Sequence, residues 1–165
     1  MSNMNTLEDL LVHSIRDLHS AEVQLLRALP KMAGTATDPA LVEAFQSHLE
    51  ETKGHVVRLE KIADLLNAQP AGLTCKAMKG LIKEGQETID EEAEPAIKDL
   101  ALIAVARKVE HYEISGYCSA KELAEALANQ EVLGILQATF EEEFGANKIL
   151  TTIAAKLIGE TPGNA

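Results

Sequence analysis

Residues 11–29 read LVHSIRDLHSAEVQLLRAL. Leu11, Ile15, Leu18, Leu25 and Leu29 recur at helical spacing and form one apolar stripe. Glu22 occupies the centre of that stripe. An unpaired carboxylate is costly to bury, so Glu22 must neutralise, pair with a cation or bind a metal. On this helix alone, a rim position or a partner Arg or Lys would also explain it.

Working outward, Thr6 and Asp9 have the spacing of a capping box, so the helix should begin near Thr6 and reach about Ala33. Pro30 is expected to bend its last turn and Gly34 to stop it. Asp38-Pro39 opens a second long helix, an N-cap followed by proline at the first helical position, running to about Asn67. A short helix from Thr74 to about Glu92 carries Met78, Leu81, Ile82 and Ile89. A fourth runs from Pro95 to about Leu127 and a fifth from about Glu131 to Leu157, leaving the tail from Gly159 frayed. Short loops within each long pair imply antiparallel hairpins. The chain, 1–165, therefore reads as one all-α domain. It is an up-down four-helix bundle with an extra short helix in the crossover between the second and third long helices.

The two hairpins look related. Val42, Phe45, Leu49, Glu50, Glu51, Gly54, Leu59 and Ile62 fall on Leu133, Leu136, Phe140, Glu141, Glu142, Gly145, Leu150 and Ile153 at one constant offset. The same offset carries Glu22 onto Glu113 and His19 onto Glu110.

Composition agrees with helices. Aromatic residues are 3% of the chain, and the net charge is -11. That charge argues against nucleic-acid binding, which needs clustered Lys and Arg. No stretch approaches the roughly 20 apolar residues of a membrane span, and the first residues show no signal-peptide pattern. Cys75 and Cys118 form no CxxC motif and are expected to be reduced, so a cytoplasmic protein is expected. Phosphate loops and nucleophile elbows are missing. Gly116 and Gly145, isolated within helices, imply close packing.

The other helices repeat the anomaly at Glu22. Glu110 and Glu113, one turn apart, point to one side of the fourth helix beside Val109 and Tyr112. Like charges there would be forced together unless a divalent cation relieves them. His111 points elsewhere. On the fifth helix, periodicity selects Glu143 from the run Glu141-Glu142-Glu143, whereas the repeat pairs Glu142 with Glu51. Both remain candidates, with Asn147 as a weaker oxygen donor one turn on. The second helix offers Glu51 and His55, with His48 one turn earlier. A carboxylate and an imidazole one turn apart suit iron, zinc or copper. The candidate metal ligands are thus Glu22, Glu51, His55, Glu110, Glu113, Glu142 and Glu143. The set resembles the carboxylate bundles in which two helices give one Glu each and two give a Glu followed by a His.

Several stretches resemble the YciE/YciF family of ferritin-like bacterial stress proteins. They are His19-Ser20-Ala21-Glu22-Val23-Gln24-Leu25-Leu26, His48-Leu49-Glu50-Glu51-Thr52-Lys53-Gly54-His55, Cys75-Lys76-Ala77-Met78-Lys79-Gly80-Leu81-Ile82, and Val109-Glu110-His111-Tyr112-Glu113-Ile114-Ser115-Gly116-Tyr117, with Glu141-Glu142-Glu143. The resemblance implies a ferritin-like bundle, a homodimer and a link to stress response. Glu110 and Glu113 are also similar to the Glu-x-x-Glu of rubrerythrin-type di-iron domains. The chain departs from that pattern at His55, four residues after Glu51, and at Asn147, where relatives often carry Asp. A neutral amide is a poorer ligand for a hard cation.

Two functions follow as expectations. One is a dinuclear iron or manganese protein, an oxidase or peroxidase that reduces peroxide or oxygen, or a protein that handles iron. Tyr112 and Tyr117 would lie near such a site. The other is a non-enzymatic helical stress protein that dimerises and binds partners, its metal site vestigial. In either case Met78, Leu81 and Ile82 offer a dimer interface.

Overall fold

A computed structural model describes residues 4–161, and within them every regular element is a helix. The elements are α1 (Leu7–Thr35), α2 (Pro39–Leu65), α3 (Lys76–Asp90), α4 (Pro95–Ala126) and α5 (Gln130–Glu160). Each boundary has a local cause. Asp9 N donates to Thr6 Oγ1 and Thr6 N to Asp9 Oδ2, both at 3.0 Å, closing the capping box. Asp38 Oδ1 accepts from the amides of Ala40 and Leu41, and Asn129 Oδ1 from that of Val132. These bonds satisfy amides that the helix itself leaves unpaired. Gly34 does not stop α1; the helix runs through Pro30 and Gly34 to Thr35. Gly159 is helical, and the rest of the expected frayed tail from residue 162 on lies outside the described residues.

Helix α1 packs along α2 and α4 along α5; α2 touches α5 and α1 touches α4, closing a ring of four. Asp99, near the start of α4, reaches the α1–α2 turn. It accepts from the amides of Thr37 (2.9 Å) and Asp38 (2.7 Å) and from the Thr37 hydroxyl (2.7 Å). Lys156 of α5 bonds Asp38 at the same end. So α2 and α4 both start at this end and run parallel. The segment between them must cross the length of the bundle, and α3 lies in that crossover against α4 and α1. This is the ferritin-like arrangement.

Two apolar clusters fill the bundle. One holds Leu11, Ile15, Leu18, Leu59, Ile62 and Leu136; the other holds Leu25, Leu29, Met32, Phe45, Leu102 and Leu150. Between them lies a polar layer. Glycine sets one close approach there: a Cβ at Gly116 would stand 2.8 Å from Leu18 Cδ2, so glycine lets α4 close onto α1. Gly145, expected to pack as tightly, faces open space. Met78 is fully buried, and Leu81 and Ile82 pack on the protein's own core, so the apolar side of α3 is turned inward. Met78 is thus closed off from the dimer interface that the pattern suggested, while Leu81 and Ile82 are half-buried.

Candidate metal centre

The polar layer is built from helix positions that the core would otherwise fill with Leu. Glu22 comes from α1, His48, Thr52 and His55 from α2, Glu110 and Glu113 from α4, and Thr139 and Glu143 from α5; all are buried. Two donor sets form here. One is His48, Glu110, Glu113 and Glu143; the other is Glu22, His55 and Glu143. Within each set one atom per residue lies within 4.8 Å of the others, and Glu143 belongs to both.

Each imidazole presents one nitrogen to the layer and one away from it. His48 Nε2 lies 3.3 Å from Glu110 Oε1 and 3.5 Å from Glu143 Oε2. His55 Nδ1 lies 3.3 Å from Glu22 Oε1 and 3.0 Å from Glu143 Oε1. These contacts are close but lack hydrogen-bond alignment. The outward nitrogens differ: His48 Nδ1 meets Glu51 Oε2 at 3.2 Å, and His55 Nε2 meets Glu142 Oε2 at 2.8 Å. An outward N–H held by a carboxylate fixes the ring and the tautomer, and leaves the inward nitrogen free to act as a donor.

Glu51 and Glu142, both expected as ligands, therefore stand outside the buried layer. Their side chains are 40% and 32% exposed. Glu142 is clamped by Arg58 at 2.5 and 2.9 Å, and Arg58 also donates to Thr139. The other expected residues, Glu22, His55, Glu110, Glu113 and Glu143, meet in the layer. Asn147 is half-buried one turn beyond Glu143, its Oδ1 unpartnered. His111 is exposed. His48 was noted only as a neighbour of Glu51. Its signal is in the spacing, since it lies three residues past Phe45 on the buried stripe, as His55 lies four before Leu59.

The electrostatics are those of anions crowded in a dry space. Burial, with Glu143 second, raises the Glu22 carboxyl; burial and then Glu22 and Glu143 push Glu113 well above the ordinary range. Burial lifts Glu110 to about 8 despite His48. Burial would lower both imidazoles, but Glu110, Glu51 and Glu143 hold His48 up at about 9, and Glu143 and Glu22 hold His55 at about 11. Glu143 resists its own burial because His55 and His48 keep it below the usual range. Tyr117, fully buried, donates to Glu22 Oε1 at 2.6 Å. Even so, Glu22 Oε2, Glu110 Oε2, both Glu113 oxygens, both Glu143 oxygens and the inward nitrogens of His48 and His55 have no hydrogen-bond partner. Buried polar atoms are seldom left so.

Known proteins resemble the chain over nearly its whole length. Residues 6–161 match a family model described as a domain of unknown function, DUF892. Protein YciF of Escherichia coli K12 is 39% identical over 98% of both chains. The crystal structure of the E. coli stress protein YciF covers 96% of this chain and all of its own with a TM-score of 0.92. YcfI of Rhodopseudomonas palustris is 41% identical, with coverage of 91% and 96% and a TM-score of 0.87. A ferritin-like, diiron-carboxylate protein of Bacillus anthracis, 18% identical, shares the fold at a TM-score of 0.71 over 92% of this chain and 99% of its own.

Proposed function

This chain belongs to the DUF892 family that includes YciF, and we propose on that premise that its buried layer is a dinuclear metal site serving oxidant or iron handling. The observation that carries the reading is the set of unpartnered donor atoms at the centre of the bundle, shared through Glu143. Four carboxylates and two imidazoles are the donor count of the dinuclear carboxylate bundles. They suit iron or manganese.

His48, Glu110, Glu113 and Glu143 would hold one ion, and Glu22, His55 and Glu143 the other. Bound iron or manganese would supply one-electron redox chemistry toward oxygen or peroxide. The protein's own part is visible in its side chains. Glu51 and Glu142 aim the imidazoles, and Arg58 anchors Glu142. Tyr117 keeps a proton at Glu22 Oε1. The two apolar clusters on either side exclude water and strengthen every charge interaction between them. Unbridged Cys75 and Cys118 fit a reducing cytoplasmic setting, and a homodimer is the assembly we expect there.

A second reading has its own support. The layer can be closed by protons alone, as the Tyr117–Glu22 bond and the imidazole–carboxylate contacts suggest. The protein would then act as a helical scaffold for partners. Metal analysis of protein purified without chelator separates the two. About two iron or manganese ions per chain, lost in Glu22→Ala and Glu113→Ala, supports the metal site. Metal-free protein whose melting is unmoved by Fe(II) supports the scaffold.

A further inference from the structure

Between α1, α3 and α4 lies a cavity of about 290 Å³, partly open to solvent. That is near the lower end of the volumes that small molecules occupy. Its walls are apolar: Leu25, Met32, Phe45, Ile82, Val105 and Val109 contribute to them. Two features give it direction. His48 and Glu110, both buried members of one donor set, line it. Arg27 and Lys31, both exposed on α1, line it too. Lys31 is steadied by its bond to Gln86 of α3 at 3.0 Å. In a chain of net charge -11, the exposed charged side chains that line the cavity, Arg27 and Lys31, are thus both positive. The α3 crossover helix forms one wall, so the insertion in the crossover does more than connect the hairpins.

We propose that this cavity is the substrate pocket of the metal site and that it takes a single medium-length alkyl carboxylate. The proposal rests on the dinuclear reading and deepens it by naming the class of molecule presented to the site. The hydrocarbon chain lies along the apolar walls toward His48 and Glu110. The carboxylate stays at the mouth with Arg27 and Lys31, because carrying it inward along apolar walls would strip its water, whereas the mouth offers two cations and solvent. Burying the chain supplies the affinity, and the cationic mouth sets the polarity.

Calorimetric titration of the metal-free protein with decanoate and with decanol tests this, with the His48 ring resonances followed by NMR. The expected result is one saturable decanoate per chain and a moving His48 signal. Ala28→Phe, which fills the cavity from α1, should weaken both ligands at least about tenfold. Arg27→Glu with Lys31→Glu should weaken decanoate by a similar factor and decanol little. Ile82→Trp blocks the cavity from α3 and serves if Ala28→Phe does not fold. Absence of binding, binding unaffected by a folded blocking variant, or an unmoved His48 ring overturns the proposal. So does a dimer in sedimentation that Ala28→Phe dissociates, since a second copy would then cover the opening. All of these readouts use metal-free protein. Failure of the metal reading is registered separately, by metal content.

Discussion

Replacing Glu113 by methionine should stabilise the metal-free protein and reduce the stabilisation it gains from metal. Glu113 is fully buried, and neither oxygen has a hydrogen-bond partner. Each unsatisfied buried group costs about 1–3 kcal/mol. Methionine keeps an unbranched, adaptable stem and removes both oxygens. Allowing about 1–3 kcal/mol in all, and about 2–4 °C per kcal/mol for a chain of this size, the variant in chelator should melt roughly 2–12 °C above wild type. With Mn(II) at about 100 times its Kd, each bound ion stabilises by about 2.7 kcal/mol. Wild type then gains roughly 5–10 °C per ion, by the same conversion. The variant has lost one donor of the His48, Glu110, Glu113 and Glu143 set, and keeps at most the ion on the other set. The variant's lead in EDTA should therefore shrink in Mn(II) by about 2.7 kcal/mol for each ion lost, and the order of melting inverts wherever that lead is smaller. Circular dichroism melts, run anaerobically in EDTA and in Mn(II), read this directly. A variant that is weaker than wild type in EDTA and shifts equally in Mn(II) would refute the reasoning, because Glu113 would then be an ordinary structural residue.

Three further outcomes follow from the same geometry. Glu51→Gln and Glu142→Gln should each weaken metal binding about 10–100-fold without abolishing it, since they orient imidazoles that are themselves donors; competition against a chromophoric chelator measures this. Stability of the metal-free protein should fall as pH rises from about 6.5 through 9. His48, raised to about 9, contributes stability that is whole below 6.5 and lost through 9, while Glu110, raised to about 8, becomes an increasingly unfavourable anion above 4.5. Urea midpoints across that window check the sign, and a rise would contradict it. Ala128 sits at φ 52°, in the left-handed turn after α4 where its amide bonds Glu125 O. Ala128→Gly should therefore raise the melting point by roughly 2–4 °C, the equivalent of about 1 kcal/mol.

The helices were legible because caps and periodicity act locally. Thr6, Asp38 and Pro39 announce their ends, and the stripe through Leu11, Ile15 and Leu18 faces inward whatever lies opposite. Glu22, Glu110 and Glu113 were legible for the same reason, as anomalies on a buried face. Glu143 was chosen by periodicity and Glu142 by the repeat, and the burial shows why the two arguments diverged. At the offset that carries Glu22 onto Glu113, the buried α2 residues Leu41, Phe45, His48, Thr52, His55, Leu59 and Ile62 fall on Val132, Leu136, Thr139, Glu143, Ala146, Leu150 and Ile153, all buried on α5. The register was right. Glu51 and Glu142 are matched flank positions, while the matched core position holds Thr52 on one hairpin and Glu143 on the other. What one helix cannot reveal is which partner its flank meets. The bonds from His48 to Glu51 and from His55 to Glu142 depend on ring orientation and on a neighbouring helix. The α3 cavity was hidden likewise, since inward-facing Leu81 and Ile82 read the same as an exposed interface.

That comparison of the hairpins points to what the layer requires. A symmetric bundle would place one carboxylate and one imidazole on each of α2 and α5. Here α2 has both imidazoles and no buried carboxylate, α5 has one carboxylate and no imidazole, and α4 supplies the additional Glu110. Distribution has changed while the total, four carboxylates and two imidazoles, matches the symmetric arrangement. A buried cluster answers to its net charge more than to which helix delivers each group. Two divalent cations neutralise four carboxylates with the imidazoles uncharged. Without cations, protons must do the same, and the raised His48, His55, Glu22, Glu110 and Glu113 share them. Loading the site at neutral pH should then expel about four protons for the pair of ions. Calorimetry of Mn(II) binding in buffers of different ionisation enthalpy counts them. A count near zero would mean that metal and protons do not compete for these atoms, and that the layer is not the place where the ions bind.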